Sequence, residues 1–480
     1  MSHSPLPELP PTYAAHLYKN CTTRIIDLRS LNLPLEGTDA DYLSIYHSTI
    51  RQQTPYARSL QSAIESITHG LAPPVAFPTE TVYGLGHSAL STPGVLSIFA
   101  TKGRPSDNPL IVHASSVAHL ERMYGGPLPE VYAPLVKKFW PGPLTILLPV
   151  PAPSAFSPHV HPSQSTIAFR IPASPSARFF IAATGVGIAG PSANSSGKPS
   201  PTTAGHVFED LAGKVNFILD GGKCDVGVES TVVDGLGEVP VILRPGGVSL
   251  GDLRGLGGIW GRTEIGYKRH GSGKSTPIGK IEGNAEEAIN DATANTADEE
   301  APRAPGMKYR HYAPQGRLIL FSQAAVARGA VQEKLQQLQT LHAGQHINVG
   351  LITRRWGRFA GLTSAPLNGT SPTTNGHSIH GDDLDDDDPV PGSHSALGTA
   401  IDVATLATAS GHSVFLHEAN LGPDVNRLAH ELFYVLRKFD ELGCNYIFAE
   451  MVETDVEDAE GNVVDAVVDR IEKASSARVE

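Results

Sequence analysis

Four short segments of the chain concentrate groups that can do chemistry. Phe77-Pro78-Thr79-Glu80-Thr81-Val82-Tyr83-Gly84-Leu85-Gly86 leaves an apolar run and packs two hydroxyls, a carboxylate and a phenol into a glycine-terminated loop. Lys102-Gly103-Arg104-Pro105-Ser106-Asp107-Asn108-Pro109 sets two cations on either side of one glycine, so both can enter one cleft if the turn folds them together. The stretch from Gly190 to Thr202 holds Ser192, Asn194, Ser195, Ser196 and Ser200, a set of hydroxyls and an amide suited to an anion or a nucleotide. Glu229-Ser230-Thr231 and Leu243-Arg244-Pro245-Gly246-Gly247 add a third cation. Each segment also has an ordinary reading: threonine-rich turns close their own backbone, and Lys or Arg after a helix caps its carbonyls. Together they supply Lys102, Arg104 and Arg244 among neutral hydrogen-bonding groups, with no Ser-His-Asp or Cys-His order. That profile fits electrostatic stabilisation of a phosphoryl group better than nucleophilic side-chain catalysis.

Other motifs fail in context. Gly273-Lys274-Ser275 ends like a P-loop, but Lys268 stands where the first glycine belongs and no apolar strand leads in. Gly185-Val186-Gly187-Ile188-Ala189-Gly190 matches G-x-G-x-x-G, yet Pro191, Pro199 and Pro201 follow where a dinucleotide site needs a helix. His159 and His161 have no Cys or carboxylate at zinc spacing and read as surface or loop histidines.

The elements that must position these groups alternate between helices and strands. Residues 1–56, rich in proline at the start and weakly helical after, read as an extension. Leu60, Ile64 and Ile67 form one helical face, and Val75-Ala76-Phe77 is a short strand. Further helices are predicted at residues 94–101, 130–139 and 176–183, and strands at 110–113, 145–150, 166–171, 216–219, 230–233 and 241–243. This is an α/β domain over 57–255. Residues 256–316 read as a linker with a polar insert at 282–300. A second, smaller unit over 317–480 predicts a doubly wound, Rossmann-like sheet. It runs strand 318–321, helix 324–341, strand 347–352, an insert at about 362–395, a helix, strand 414–416, a long helix through Val425, Leu428, Leu432, Val435, Phe439 and Leu442, and strand 446–448. The insert carries Asp382, Asp383 and Asp385 to Asp388, a solvated run without EF-hand spacing.

Composition bounds the function. The 480 residues contain 37 Lys+Arg against 49 Asp+Glu, a net charge of −12 that argues against a nucleic-acid-coating protein while allowing a local basic cleft. No apolar run reaches the ~18 residues a membrane span needs. Cys21, Cys224 and Cys444 are too few and too scattered for a disulfide framework or a paired zinc site, and Met1 to Pro11 lacks a signal-peptide core. The expected compartment is the cytoplasm, with no membrane partner.

Pro78–Gly86, Lys102-Gly103-Arg104, Asp107–His113, Trp140-Pro141-Gly142-Pro143-Leu144-Thr145 and Pro191-Ser192-Ala193-Asn194 closely resemble the YrdC-like threonylcarbamoyl-adenylate synthases. Ala304 to Pro314 looks like the linker of the long, two-domain form with a C-terminal Sua-type domain. The resemblance implies a YrdC-like α/β domain with a concave pocket and a reaction of L-threonine, bicarbonate and ATP that yields threonylcarbamoyl-AMP, pyrophosphate and water. It further implies magnesium accompanying ATP, and a product passed to a separate complex that makes threonylcarbamoyladenosine in tRNA. Direct tRNA contact is left open. Residue by residue, Thr81, His113, Arg170, Ser192 and Ser230 match positions expected around threonine, Arg170 facing its carboxylate. Arg104, Asn108, Thr166, Asn194, Ser200 and Arg244 match positions expected around ATP, with Lys102 and Arg104 as the catalytic cations at the phosphates. Tyr312 would close over the nucleotide, with Tyr309 as its rival. Two other readings stand beside this one. A hydrogenase-maturation protein handles a similar carbamoyl-adenylate but should show Cys-x-x-Cys pairs, absent from this sequence. A non-catalytic module could hold double-stranded RNA on a concave basic surface.

Overall fold

The computed structural model describes residue 18 and residues 21–68, 72–267, 312–362, 372–373, 399–407, 412–452 and 463–480. Tyr309, the glycine-lysine-serine run at 273–275, the insert at 282–300 and the six aspartates lie outside the described residues.

An eleven-stranded mixed sheet forms the first domain. Its strands run, from one edge to the other, Arg24–Asp27, Phe217–Asp220, Val75–Phe77, Gly84–Ser88, Ile188–Gly190, Ile111–His113, Thr166–Arg170, Leu144–Pro149, Thr231–Asp234, Val241–Arg244 and Glu264–Ile265. The register decides the site. His113 pairs with Arg170, and Arg170 pairs with Thr145 on its other side. Residues directly opposite across strands project from the same face, so an imidazole, a guanidinium and a hydroxyl stand in one row.

Helix Pro55–Thr68 buries Leu60, Ile64 and Ile67, the face read from their spacing. Residues 24–56 are not a mere extension. Arg24–Asp27 pairs in parallel with Phe217–Asp220, and helix Asp39–Arg51 starts on a capping box between Thr38 and Asp41. Ile26, Leu28, Tyr42 and Tyr46 join a core with Phe77, Phe179 and Phe180. The proline-rich start masked this apolar content. The domain also runs past residue 255. Trp260 is buried, stacks near Tyr132 at 6.0 Å and donates Nε1–H to the Val131 carbonyl at 2.8 Å. Glu264–Ile265 then pairs with the Val241–Arg244 strand. His159 is buried in a 3-10 turn rather than lying at the surface.

The second domain is a seven-stranded sheet, parallel through Ser413–Asn420, Ile347–Thr353, Tyr446–Glu450, Arg317–Phe321 and Ala477–Val479 in that spatial order. Alternate residues of one strand feed two cores. Leu318 and Leu320 pack with helices Val425–Glu441 and Val464–Ala474, while Ile319 and Phe321 pack with helix Ala330–Leu341. Helices on both faces make the sheet doubly wound, as expected of continuous apolar strands. The predicted helix at 324–341 is two pieces, Gln323–Ala327 and Ala330–Leu341, separated at Gly329 with φ +85°. The helix expected after the acidic insert is instead a strand, Asp402–Ala407, antiparallel to Ser413–Asn420. Its alanines suggest helix, but the β-branched Val403 and Thr405 alternate with buried Ala404 and Leu406, and edge pairing wins.

Candidate active site

The sheet row and the loops above it enclose a cleft. Thr81, Lys102, Arg104, His113, Arg170, Ser192, Asn194, Ser230, Arg244 and Tyr312 all line it. Thr79, Lys198 and Glu229 line it too, without having been singled out for roles.

Local structure explains the convergence. Helix Thr92–Lys102 ends on Gly103, whose φ of +63° is the left-handed cap that lets the chain reverse, and Arg104 N–H returns to the Phe99 carbonyl at 3.0 Å. The reversal brings both cations to the cleft. Lys102 is fully committed there: its Nζ donates to the carbonyls of Ser192 and Asn194 at 2.5 Å each and to Asn194 Oδ1 at 3.3 Å. Burial, helped by Arg104 beside it, pushes its pKa well below the usual lysine range. Lys102 therefore clamps the Ser192–Asn194 loop onto the helix end, whereas the sequence reading has it as a catalytic cation at the phosphates. The same loop meets the sheet through a bridge between Gly84 and Ser192.

Arg170 is buried, and its fork is occupied. Nη2 meets Glu80 Oε1 at 2.6 Å, Nη1 donates to Thr81 Oγ1 at 2.8 Å, and Nε donates to the Gly142 carbonyl at 3.2 Å. Glu80 is the partner that the sequence reading passed over, although it stands in the quoted loop. His113 lies edge-on to Phe77 and places Nδ1 3.2 Å from the Ile188 carbonyl. Burial, and then the charge of Arg170, push its pKa down to about 3, so it is neutral at physiological pH.

Ser230 links the two ends of the cleft floor. Its Oγ lies 2.8 Å from Thr145 Oγ1 and accepts from Arg244 Nη2 at 3.1 Å, while its carbonyl accepts from Arg244 Nε and Nη2 at 3.1 and 2.8 Å. Gly246 permits this approach: a Cβ there would stand 2.2 Å from both the Ser230 carbonyl carbon and the Thr231 nitrogen.

Three expected residues do not line the cleft. Thr166 opens the Arg170 strand, four residues and so about 13 Å from Arg170. Ser200 is buried and donates to Glu229 Oε1 at 2.6 Å. Asn108 is wholly buried beside Pro109, and neither polar atom of its amide has a hydrogen-bond partner among the described residues.

Tyr312 is buried with φ +70°, lies 5.1 Å from Phe433 in a near-parallel stack, and forms one wall of the cleft. The second domain reaches the same loops. Arg470 Nε meets Glu229 Oε2 at 2.9 Å, and Arg437 Nη2 meets the Pro199 carbonyl at 2.6 Å and Asp210 Oδ2 at 2.8 Å. No sequence spacing announces contacts between residues more than two hundred positions apart.

A family model described as "Telomere recombination", covering the Sua5, YciO and YrdC proteins, matches residues 72–246. One described as "Threonylcarbamoyl-AMP synthase, C-terminal domain" matches residues 280–476. The threonylcarbamoyl-AMP synthase of Schizosaccharomyces pombe is 34% identical over 473 residues, covering 94% of this chain and 96% of that protein. Its Bacillus subtilis counterpart is 42% identical over 61% of this chain and 72% of its own length. Among solved structures, Pyrococcus abyssi Sua5 complexed with L-threonine superposes with a TM-score of 0.60 at 33% identity, covering 88% of this chain and 96% of that one. Match along nearly the whole of both chains, joined to the convergence of the motif residues on one cleft, places this chain in the threonylcarbamoyl-AMP synthase family.

Proposed function

We propose that the cleft joins L-threonine, bicarbonate and ATP into threonylcarbamoyl-AMP, with release of pyrophosphate and water. The observation that supports this most is a single cleft lined by Lys102, Arg104, Arg170 and Arg244 together with the hydroxyls of Thr81, Ser192 and Ser230. Its chemistry is alignment and charge neutralisation. His113 is kept neutral by burial and Arg170, and its Nδ1 lies against the Ile188 carbonyl rather than a serine hydroxyl, so it does not activate a side-chain nucleophile.

Both nucleophiles come from the substrates. The threonine amine, after losing a proton, forms a C–N bond to the bicarbonate carbon, and water leaves. A carbamate oxygen then attacks the α-phosphorus, and pyrophosphate departs with the electrons of the broken P–O bond. Arg170 orients the threonine carboxylate, sharing its fork with Glu80, while Thr81, His113, Ser192 and Ser230 shape the pocket around the amino acid. Arg104 and Arg244 offset the phosphate charge, and Asn194 meets the nucleotide, with Asn108 buried behind the cleft-lining Pro109. Thr166 would meet only its far end, and Ser200 acts through Glu229. Lys102 keeps the Ser192–Asn194 loop in place. Tyr312 covers the site and keeps water from a labile mixed anhydride.

Magnesium enters with ATP, held by the triphosphate; among the described residues no group of three or more His, Cys, Asp or Glu is placed to hold a metal. Among the described residues no helix is long and apolar enough to cross a membrane. The product then passes to a separate tRNA-modifying complex. The RNA-binding alternative fits less well, because Lys102, Arg170 and Arg244 are 6%, 3% and 6% exposed and cannot reach a duplex backbone.

The test is pyrophosphate release from ATP by purified protein, with threonine or bicarbonate omitted in turn. Release that requires both is expected. Release no greater than the no-threonine control would overturn the proposal.

A further inference from the structure

We propose that Arg470, far along the second domain, is a positioning residue for the nucleotide half of the cleft, and that through it the second domain sets the affinity for ATP. This rests on the proposed synthase reading of the cleft. Arg470 sits on helix Val464–Ala474, is 0% exposed, and does not itself line the cleft. Every nitrogen of its guanidinium is committed. Nε meets Glu229 Oε2 at 2.9 Å, Nη1 meets Asp469 Oδ2 at 2.7 Å, and Nη2 donates to the Pro245 carbonyl at 2.9 Å. Its Cζ also lies 5.5 Å from the centre of the Tyr312 ring.

Three of these four partners lie at the cleft: Glu229 and Tyr312 line it and Pro245 adjoins the lining residue Arg244. Pro245 follows Arg244, whose own guanidinium grips Ser230. Glu229 precedes Ser230 and takes the Ser200 hydroxyl on its other oxygen. Tyr312 is a wall of the cleft. One rigid fork thus ties the Arg244 loop, the Ser200 loop and the covering tyrosine into a single arrangement. A planar guanidinium can hold several acceptors at fixed angles, which a lysine cannot. The threonine-side residues Thr81, His113 and Arg170 have other hydrogen-bond partners: Thr81 and Arg170 meet each other, Arg170 also meets Glu80 and the Gly142 carbonyl, and His113 meets the Ile188 carbonyl.

The packing around this fork gives it leverage. Gly227, at φ +77°, lets the loop before Glu229 lie directly on helix Val425–Glu441: a Cβ there would stand 2.5 Å from the His430 carbonyl oxygen. Val82 and Val228 of the first domain share a core with Leu428, Leu432 and Phe433 of the second. The loops are therefore anchored on the second domain by an apolar contact, by Arg437 on the Pro199 carbonyl and Asp210, and by the Arg470 fork, which alone of the three holds Glu229 and the Pro245 carbonyl beside Arg244.

The experiment measures calorimetric binding of a non-hydrolysable ATP analogue and, separately, of L-threonine to the full-length protein, so turnover is not needed. Arg470→Met should weaken the nucleotide by about tenfold or more, as loss of buried charge-assisted hydrogen bonds does. Arg470→Lys should recover part of that loss. Threonine affinity should fall by no more than about threefold in both, since of its proposed contacts only Ser230 adjoins a partner of Arg470. Lys223→Met, which breaks a different interdomain pair at 2.8 Å to Glu431, should leave nucleotide affinity unchanged. Should Arg470→Met fail to fold, Glu229→Gln, which keeps the shape and the acceptor for Ser200, should give the same selective loss. Unchanged nucleotide binding, equal losses for both ligands, or an equal loss in Lys223→Met would overturn the proposal. A wild-type protein that binds both ligands but makes no product would fail the synthase reading while leaving Arg470's effect on nucleotide binding measurable.

Discussion

The clearest perturbation of the cleft is Arg170→Lys. The charge is kept but the fork is lost. Arg170 uses three nitrogens on Glu80, Thr81 and the Gly142 carbonyl at 2.6, 2.8 and 3.2 Å, and a lysine ammonium cannot span all three. Removing the cation altogether, as in Arg170→Ala, would leave Glu80 buried without its ion partner, at a cost of about 3–5 kcal/mol in stability. That fall would confound a binding measurement, which is why the lysine variant is the sharper probe. A charge-assisted bidentate contact is worth about 1.5–3 kcal/mol, so threonine affinity should fall roughly 10- to 100-fold. ATP affinity should change by no more than about twofold, because Arg104 and Arg244 are reached from other loops. Calorimetric titration of each ligand, with urea unfolding to confirm that the variant is folded, supplies the numbers. Equal losses for threonine and ATP would show that Arg170 holds the cleft together as a whole and that its assignment to the threonine carboxylate is wrong.

Other consequences are simpler. Gly246→Ala forces a Cβ against the backbone of Ser230 and Thr231 and should destabilise the fold by roughly 1–3 kcal/mol or more, read from the urea midpoint; an unchanged midpoint would mean the loop yields freely. Burial raises the pKa of Glu229, but Arg470, Arg244 and the Ser200 hydroxyl overcome it and leave it at about 2. Its folded pKa is thus below the unfolded value, so the stabilisation is present above about pH 4.5 and is lost as pH falls towards 2. Glu229→Gln should flatten that acid limb of stability, and an unaltered limb would remove Glu229 as its source. His113 stays neutral down to about pH 3, so threonine affinity should show no His113-dependent inflection between pH 6 and 8; an inflection abolished by His113→Asn would contradict this. A chain ending before Ala304 loses Tyr312 and the second domain, and should leave a folded first domain with impaired turnover; full activity would refute a covering role for Tyr312.

How much of this was legible in the sequence depends on the range of the contact that carries it. Helix faces such as Leu60, Ile64 and Ile67, and the long run from Leu428 to Phe439, are periodic within a dozen residues, so the pattern is local and readable. Lys102 and Arg104 were legible as a pair because Gly103 between them is itself the signal for the reversal that joins them. What Lys102 does was not legible: the two carbonyls that hold it come from a loop ninety residues later, and backbone carbonyls carry no residue type. Boundary errors have the same cause. Trp260 sits in glycine-rich text that reads as linker until Tyr132 and the Val131 carbonyl, more than a hundred residues earlier, are known to be its neighbours. Ile26 and Leu28 read as an extension until the strand at Phe217–Asp220 offers them a partner. Arg470 is the extreme case. Nothing near it marks a site, its helix is an ordinary amphipathic one, and its partner Glu229 is 241 positions away. Yet Glu229 did stand in a quoted segment, beside Ser230. A buried carboxylate next to a binding serine, with no cation nearby in sequence, implies a distant one, because an unpaired buried charge is too costly to persist. That argument needs the burial of Glu229, which the fold shows, and the fold also shows that the second domain supplies the partner.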